Sequence, residues 1–63
     1  KVKDEIKNRI SELTRKYSAE RGHYVEGRCK ECNKEGLILL VGCGQYTLRC
    51  YNNPEHENDS GLV

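Results

Sequence analysis

The first third of the chain repeats its apolar positions with the period of an α-helix. The repeat consists of Val2, Ile6, Ile10, Leu13 and Tyr17. At about 100° per residue, these five positions lie within a stripe about 80° wide. The pattern predicts one amphipathic helix over residues 2–21, inside a first segment of residues 1–22 that ends at Gly22. We expect the stripe to pack on the rest of the chain, with an intermolecular helix seam as the alternative.

Two strand-like runs follow, separated by a turn that contains two glycines. Residues 37–41 are apolar throughout, which is typical of a strand covered on both faces. Residues 46–51 alternate, so one face would hold Tyr46, Leu48 and Cys50 and the other Thr47, Arg49 and Tyr51. With residues 42–45 as the loop between them, the two runs predict a β-hairpin.

A Cys-x-x-Cys pair precedes this hairpin and indicates a metal site. Cys29 and Cys32 can face one ion from a single tight turn, and a closed tetrahedral zinc site needs two further ligands. The chain offers Cys43, Cys50 and His56 as candidates, and His23 as a less favoured one.

Hairpin pairing selects among these candidates. If Val41 pairs with Tyr46, Cys50 returns opposite Leu37, near the first two cysteines, whereas Cys43 lies at the tip, roughly 20 Å away along an extended strand. His56 follows soon enough after Cys50 to turn back as the fourth ligand. The predicted zinc ligands are therefore Cys29, Cys32, Cys50 and His56, and replacement of His56 by Cys43 is the alternative.

Residues 28–57 resemble the small zinc ribbons repeated at the C-terminus of bacterial type IA DNA topoisomerases. Those ribbons combine a CxxC turn, a hairpin whose Gly-containing turn precedes an aromatic residue, and a closing cysteine with a proline before the last ligand. Here residues 44–46 (GQY) match the turn and residues 50–56 (CYNNPEH) match the closing motif. His56 stands where the family has Cys, and Lys30 and Asn33 stand where it usually has Pro and Gly. The resemblance implies a structural zinc and binding to single-stranded nucleic acid.

Composition limits the chain to one small domain. It has 63 residues, 35% of them hydrophobic, with no Phe, Trp or Met, so a structural metal would supply stability that the core lacks. Disulfides are the alternative. We predict a zinc-stabilised α+β domain in which residues 23–57 form the ribbon. Residues 58–63 are expected to be a disordered tail, since they are polar and end in a stretch that resembles an expression linker.

Charge is uneven along the chain, although the formal total is only +1. Residues 1–21 carry seven Lys/Arg and four Asp/Glu, whereas residues 51–63 carry three acids and no Lys/Arg. Nucleic-acid binding would therefore depend on one face of the molecule rather than on net charge. The residues predicted to stack on bases are Tyr46 and Tyr51, and those predicted to meet phosphates are Arg49, Lys30 and Lys34.

Two further expectations concern function and location. An enzyme is not expected, because a zinc ion with four protein ligands has no open position and no Ser/His/Asp set is evident. A protein-interaction module that docks through the helix stripe or the hairpin edge is the alternative to nucleic-acid binding. Cysteine usage and the lack of a long apolar run predict a cytoplasmic protein.

Overall fold

The computed structural model describes residues 2–63, and Val2 only by its backbone. Lys1 and the Val2 side chain, which the sequence placed in the first segment and in the apolar stripe, lie outside the described part. One helix precedes four strands: α1 (Val2–Lys16), β1 (Arg21–Arg28), β2 (Glu35–Gly42), β3 (Gln45–Cys50) and β4 (Glu57–Leu62). The strands form one antiparallel sheet in the order β1-β2-β3-β4. The predicted small α+β fold is confirmed.

The helix ends at Lys16, earlier than the predicted residue 21. Ser18 adopts a left-handed conformation, with φ 56°. The N–H of Ala19 donates to the carbonyl of Thr14 at 2.8 Å, and that of Ser18 to Arg15 at 3.4 Å. This pair of bonds is a Schellman motif, which satisfies the last helical carbonyls and reverses the chain. The chain then enters β1, so a strand precedes the first cysteine of the segment predicted as the ribbon.

The sequence predicted that the helix ends at Gly22. Gly22 instead lies in β1, beneath α1. A Cβ at this position would come within 3.0 Å of the side chains of Ile10 and Leu40. Glycine therefore permits close approach of α1 to the sheet.

The apolar stripe of α1 packs on one face of the sheet, as expected. Leu13 is 1% exposed and contacts Ile38 and Leu40, which are 0% and 2% exposed. Around this cluster lie the partly buried Ile10, Tyr17, Ala19 and Tyr51. A second cluster, on the opposite face at one end of the sheet, contains Cys29, Leu37 and Cys50. The apolar stripe of α1 is thus buried against the sheet of the same chain.

The β2–β3 hairpin has the predicted register. Val41 pairs with Tyr46 and Leu37 with Cys50. The strands also pair Gly42 with Gln45, so the loop is shorter than predicted and consists of two residues. These are Cys43 and Gly44, with φ of 55° and 72°, which is the backbone of a type I′ turn.

The C-terminal segment is not the disordered tail that its composition predicted. Residues 57–62 form β4 on the free edge of β3, with Thr47 opposite Ser60 and Gln45 opposite Leu62. The pairing is extended by the N–H of Val63, which donates to the carbonyl of Gly44 at 2.9 Å. An edge strand keeps one side and much of its surface in solvent, so a polar sequence is compatible with it.

Candidate metal centre and sheet surfaces

Two turns at one end of the sheet bring the four predicted metal ligands together. The ligand atoms of Cys29, Cys32, Cys50 and His56 all lie within 4.8 Å of one another. The first turn follows β1 and supplies Cys29 and Cys32, while β3 ends at Cys50 and leads into the turn that supplies His56. Cys29 and Cys50 are buried, and the other two ligands are half-buried.

Two of the distances between ligand atoms match the edges of a tetrahedron around a metal ion. Sγ of Cys32 lies 3.6 Å from Sγ of Cys50, and Sγ of Cys29 lies 3.5 Å from Nδ1 of His56. With bonds of about 2.3 Å to sulfur and about 2.0 Å to nitrogen, the edges of a tetrahedron around zinc are roughly 3.5–3.8 Å. Four donors of this kind, mostly shielded from water, can therefore bind one metal ion.

Backbone hydrogen bonds shape the first turn, residues 29–34. The N–H of Cys29 donates to the carbonyl of Lys34 at 3.0 Å, and the N–H of Asn33 donates to the carbonyl of Cys29 at 2.9 Å. Asn33 has φ 63°, in the left-handed region that Asn tolerates better than most residues. Asn33 can thus close this turn without a glycine.

The second turn orients His56. Its N–H donates to the carbonyl of Asn53 at 2.9 Å, and the N–H of Cys50 donates to the carbonyl of His56 at 3.0 Å. The side-chain amide of Asn53 lies 3.2 Å from Nε2 of His56. In this orientation of the ring, Nδ1 faces Sγ of Cys29 at 3.5 Å.

The environment of Cys29 favours the thiolate, which is the metal-binding form. Burial raises the pKa of Cys29, but hydrogen bonds outweigh it and lower the pKa to about 6. The donors are the backbone of Cys32, the side chain of Asn58 and the backbone of Glu31. For Cys32, the backbone of Lys34 lowers the pKa, yet burial and the neighbouring sulfurs prevail, so the pKa is raised. The two thiols of the first turn are therefore not equivalent.

The other candidate ligands lie outside this group. Cys43 is exposed in the hairpin turn, and His23 pairs with Leu39 in the middle of β1 and β2. All four cysteines of the described chain are free.

Asn58 contacts the first turn, although the sequence gave no reason to select it. It is buried, with 8% exposure, and lies within the segment predicted to be disordered. Its Oδ1 accepts a hydrogen bond from the backbone N–H of Lys30 at 2.7 Å, and its Nδ2 lies 3.5 Å from Sγ of Cys29.

Two of the residues predicted to bind nucleic acid have partners within the fold. The guanidinium of Arg49 lies 4.1 Å from the ring centroid of Tyr17, donates to the carbonyl of Pro54 at 3.0 Å and forms an ion pair with Glu57 at 3.7 Å. Only 16% of the Arg49 side chain is exposed. Arg49 thus joins the end of the helix to the second turn.

Tyr51 is packed on the helix side of the sheet. Its ring lies 5.5 Å from the guanidinium of Arg9 and makes an edge-on contact with Tyr24, with ring centroids 5.7 Å apart. Tyr51 is therefore half-buried beside α1. Lys30 and Lys34, which the sequence predicted to meet phosphates, are exposed on the first turn.

The side of the sheet opposite α1, here called the open face, contains Tyr46. Two rows of paired residues cross it: Arg21, Val41, Tyr46 and Gly61, then His23, Leu39, Leu48 and Asp59. Among residues 2–63, no helix or strand packs over these rows. Arg21, His23 and Asp59 are exposed, and the apolar residues between them are half-buried. The predicted stacking residues Tyr46 and Tyr51 consequently lie on opposite sides of the sheet.

Comparison with known proteins identifies no relative. No family model, curated protein or solved structure matches the chain. Among the described residues, no helix is both long enough and apolar enough to cross a bilayer.

Proposed function

We propose that the metal is zinc and that its role is structural. Three cysteine sulfurs and one imidazole nitrogen form a donor set that zinc prefers, and their spacing suits its tetrahedral geometry. Cys29, Cys32, Cys50 and His56 would hold the ion and join two distant parts of the chain. Such cross-links stabilise domains that are too small to rely on a hydrophobic core.

The proposed centre is not catalytic. Four protein ligands complete the coordination of zinc, so the ion offers no position for a water molecule or a substrate. Zinc-bound thiolates also suit a reducing compartment, which supports a cytoplasmic location as part of the same proposal.

We propose that the domain binds single-stranded nucleic acid on its open face. The supporting observation is an uncovered sheet surface on which Tyr46 lies with two other planar side chains, Arg21 and His23. Planar side chains on a sheet can stack on unpaired bases, which all present a π-face. The ring of Tyr46 packs over Gly61, because it lies within 2.9 Å of the position that a Cβ of Gly61 would occupy.

Charge near the open face favours a modest affinity. Arg21 can meet phosphates at the β1 edge, and Lys30 and Lys34 can meet them at the metal end, whereas Asp59 opposes binding at the β4 edge. The resemblance of residues 28–57 to topoisomerase zinc ribbons implies the same class of partner. In this proposal Tyr46 replaces Tyr51 as the main stacking residue, and Arg49 has a structural role.

Fluorescence anisotropy with labelled single-stranded and duplex oligonucleotides, at two salt concentrations, tests the proposal. Base–aromatic stacking is worth roughly 1–3 kcal/mol, so Tyr46→Ala should weaken single-strand binding about 5- to 100-fold. Tyr24→Ala is the matched control, since Tyr24 is 39% exposed on the helix side and should leave the affinity nearly unchanged. Lys34→Ala should reduce the salt dependence for all sequences alike.

Two results would contradict nucleic-acid binding on this face. The first is no binding at low salt up to about 100 μM of zinc-loaded protein, a range in which non-specific binders associate. The second is binding that is equally sensitive to Tyr46→Ala and Tyr24→Ala, which would show that binding does not depend on the open face.

A protein partner is the second candidate, and the apolar centre of the same face favours it. Leu39, Val41 and Leu48 are half-buried there with no covering element among residues 2–63. The helix stripe, which the sequence offered for docking, is occupied by the sheet. If oligonucleotides do not bind, this candidate predicts that Val41→Lys, at the end of the face away from the metal, abolishes association with a protein partner while zinc content is retained.

A further inference from the structure

The position of Asn58 follows from an irregularity in the pairing of β3 and β4. Leu48 pairs with Asp59, but Arg49 pairs with Glu57, so Asn58 is an extra residue without a partner in the ladder. Such a bulge bends the strand and changes the direction of a side chain. Here the bulge lies beside the first metal-binding turn, and the Asn58 side chain contacts it.

The hydrogen bonds determine which way the Asn58 amide faces. The backbone N–H of Lys30 can only donate, so the atom 2.7 Å away must be the carbonyl oxygen of the amide. The NH₂ group must then face Sγ of Cys29, 3.5 Å away. The amide therefore presents a donor to the sulfur, which a metal-bound thiolate can accept.

We propose that Asn58 is a positioning residue of the metal centre and that it couples metal binding to the docking of β4. The inference rests on the proposed metal-binding function. A second bond, from the N–H of Glu31 at 3.3 Å, reaches the same sulfur from within the turn, whereas Asn58 reaches it from a strand almost thirty residues away. Donors of this kind orient a ligand and reduce its negative charge. Because coupling is reciprocal, a bound metal stabilises β4 and a docked β4 retains the metal.

The test uses the Co²⁺-loaded full chain, whose absorption reports sulfur ligation, together with competition for Zn²⁺ by a chelator. Asn58→Asp preserves the size of the side chain and an acceptor for Lys30, but directs an oxygen at Sγ of Cys29. We expect Zn²⁺ affinity to fall about 10- to 100-fold. We also expect the sulfur-to-cobalt charge-transfer band to move to longer wavelength, because the thiolate loses a hydrogen bond. In the loaded variant, hydrogen exchange should become faster in β4 but not in β2 and β3.

Asn52→Leu and Asn58→Leu form the matched control pair. Asn52 likewise bonds the backbone, since its amide donates to the carbonyl of Glu35 at 3.2 Å, but it is exposed and makes no bond to sulfur. Asn58→Leu should shift the band and Asn52→Leu should not.

The inference is overturned if Asn58→Asp binds Zn²⁺ within about twofold of the wild type, or if affinity falls without any change in the band. The second result would mean that Asn58 acts only through the stability of the fold. Failure of the unsubstituted chain to bind Co²⁺ or Zn²⁺ is a separate result, which would overturn the proposed metal centre itself.

Discussion

At the scale of single residues, three non-glycine positions of the described chain adopt a left-handed backbone, and each closes a reversal of the chain. Ser18, Asn33 and Cys43 have φ between 55° and 63°. Ser18 ends the helix, Asn33 closes the first metal-binding turn and Cys43 begins the hairpin turn. Left-handed conformations cost residues with a Cβ roughly 1–2 kcal/mol. Asn tolerates the conformation, whereas Ser18 lacks that advantage.

Replacing Ser18 with glycine should therefore stabilise the domain. We expect Ser18→Gly to raise the free energy of unfolding of the zinc-loaded protein by about 0.5–1 kcal/mol, measured by urea denaturation. Ser11→Gly is the matched control, because Ser11 is exposed inside α1 and its replacement should cost roughly 0.5 kcal/mol. Destabilisation by Ser18→Gly would contradict the Schellman assignment.

At the scale of elements, the β2–β3 hairpin selects the metal ligands. Its register places Cys50 opposite Leu37, beside the first turn, and leaves Cys43 exposed in the loop at the far end. A one-residue slip would reverse which side chains face each side, so the apolar pattern of β2 helps to hold this register. The hairpin thus brings Cys50 close to the first turn and keeps Cys43 away from it.

The ligand assignment predicts opposite outcomes for these two cysteines. Cys43→Ser should leave one zinc per chain and nearly unchanged folding, whereas Cys50→Ser should abolish both, as measured by metal analysis and circular dichroism. His56→Ala should also lose the metal or bind it far more weakly. Loss of zinc in Cys43→Ser with retention in His56→Ala would show that all four ligands are cysteines.

At the scale of the whole molecule, two small clusters hold the sheet from opposite faces. Leu13, Ile38 and Leu40 form the cluster beneath α1, and the cysteines with Leu37 form the other at the metal end. Few apolar side chains are fully buried, so their burial offsets little of the conformational entropy that the chain loses on folding. The ligands come from two turns that are far apart in sequence, so metal binding supplies a cross-link that the core alone does not.

Removal of the metal should therefore unfold the sheet. At neutral pH, an excess of chelator should collapse the dispersed backbone amide signals of β2 and β3 in a ¹⁵N-correlated NMR spectrum, and added zinc should restore them. The helix should persist only partly, because an isolated helix of this length is marginal in water. A chelated protein that keeps dispersed hairpin signals would contradict this expectation.

Lowering the pH should also release the metal, because protons compete for the thiolates.

Local patterns in the sequence determined the helix stripe, the hairpin register and the grouping of the four ligand residues. Each of these depends on residues close together in the chain, or on a pairing set by a short turn. The period of Ile10, Leu13 and Tyr17 indicates which face of α1 is buried, and the glycine turn aligns Cys50 with Leu37. These features could be predicted because the physical causes are local.

Tertiary contacts decided the remaining features, because their causes involve residues far apart in sequence. The helix ends earlier than the sequence predicted, because Ser18 reverses the chain and β1 pairs with β2. The polar segment 57–62 forms a strand because β3 has a free edge, and its bulge places Asn58 against Cys29. Sequence alternation placed Tyr46 and Tyr51 on opposite faces, but only the packing of α1 decided which face is covered.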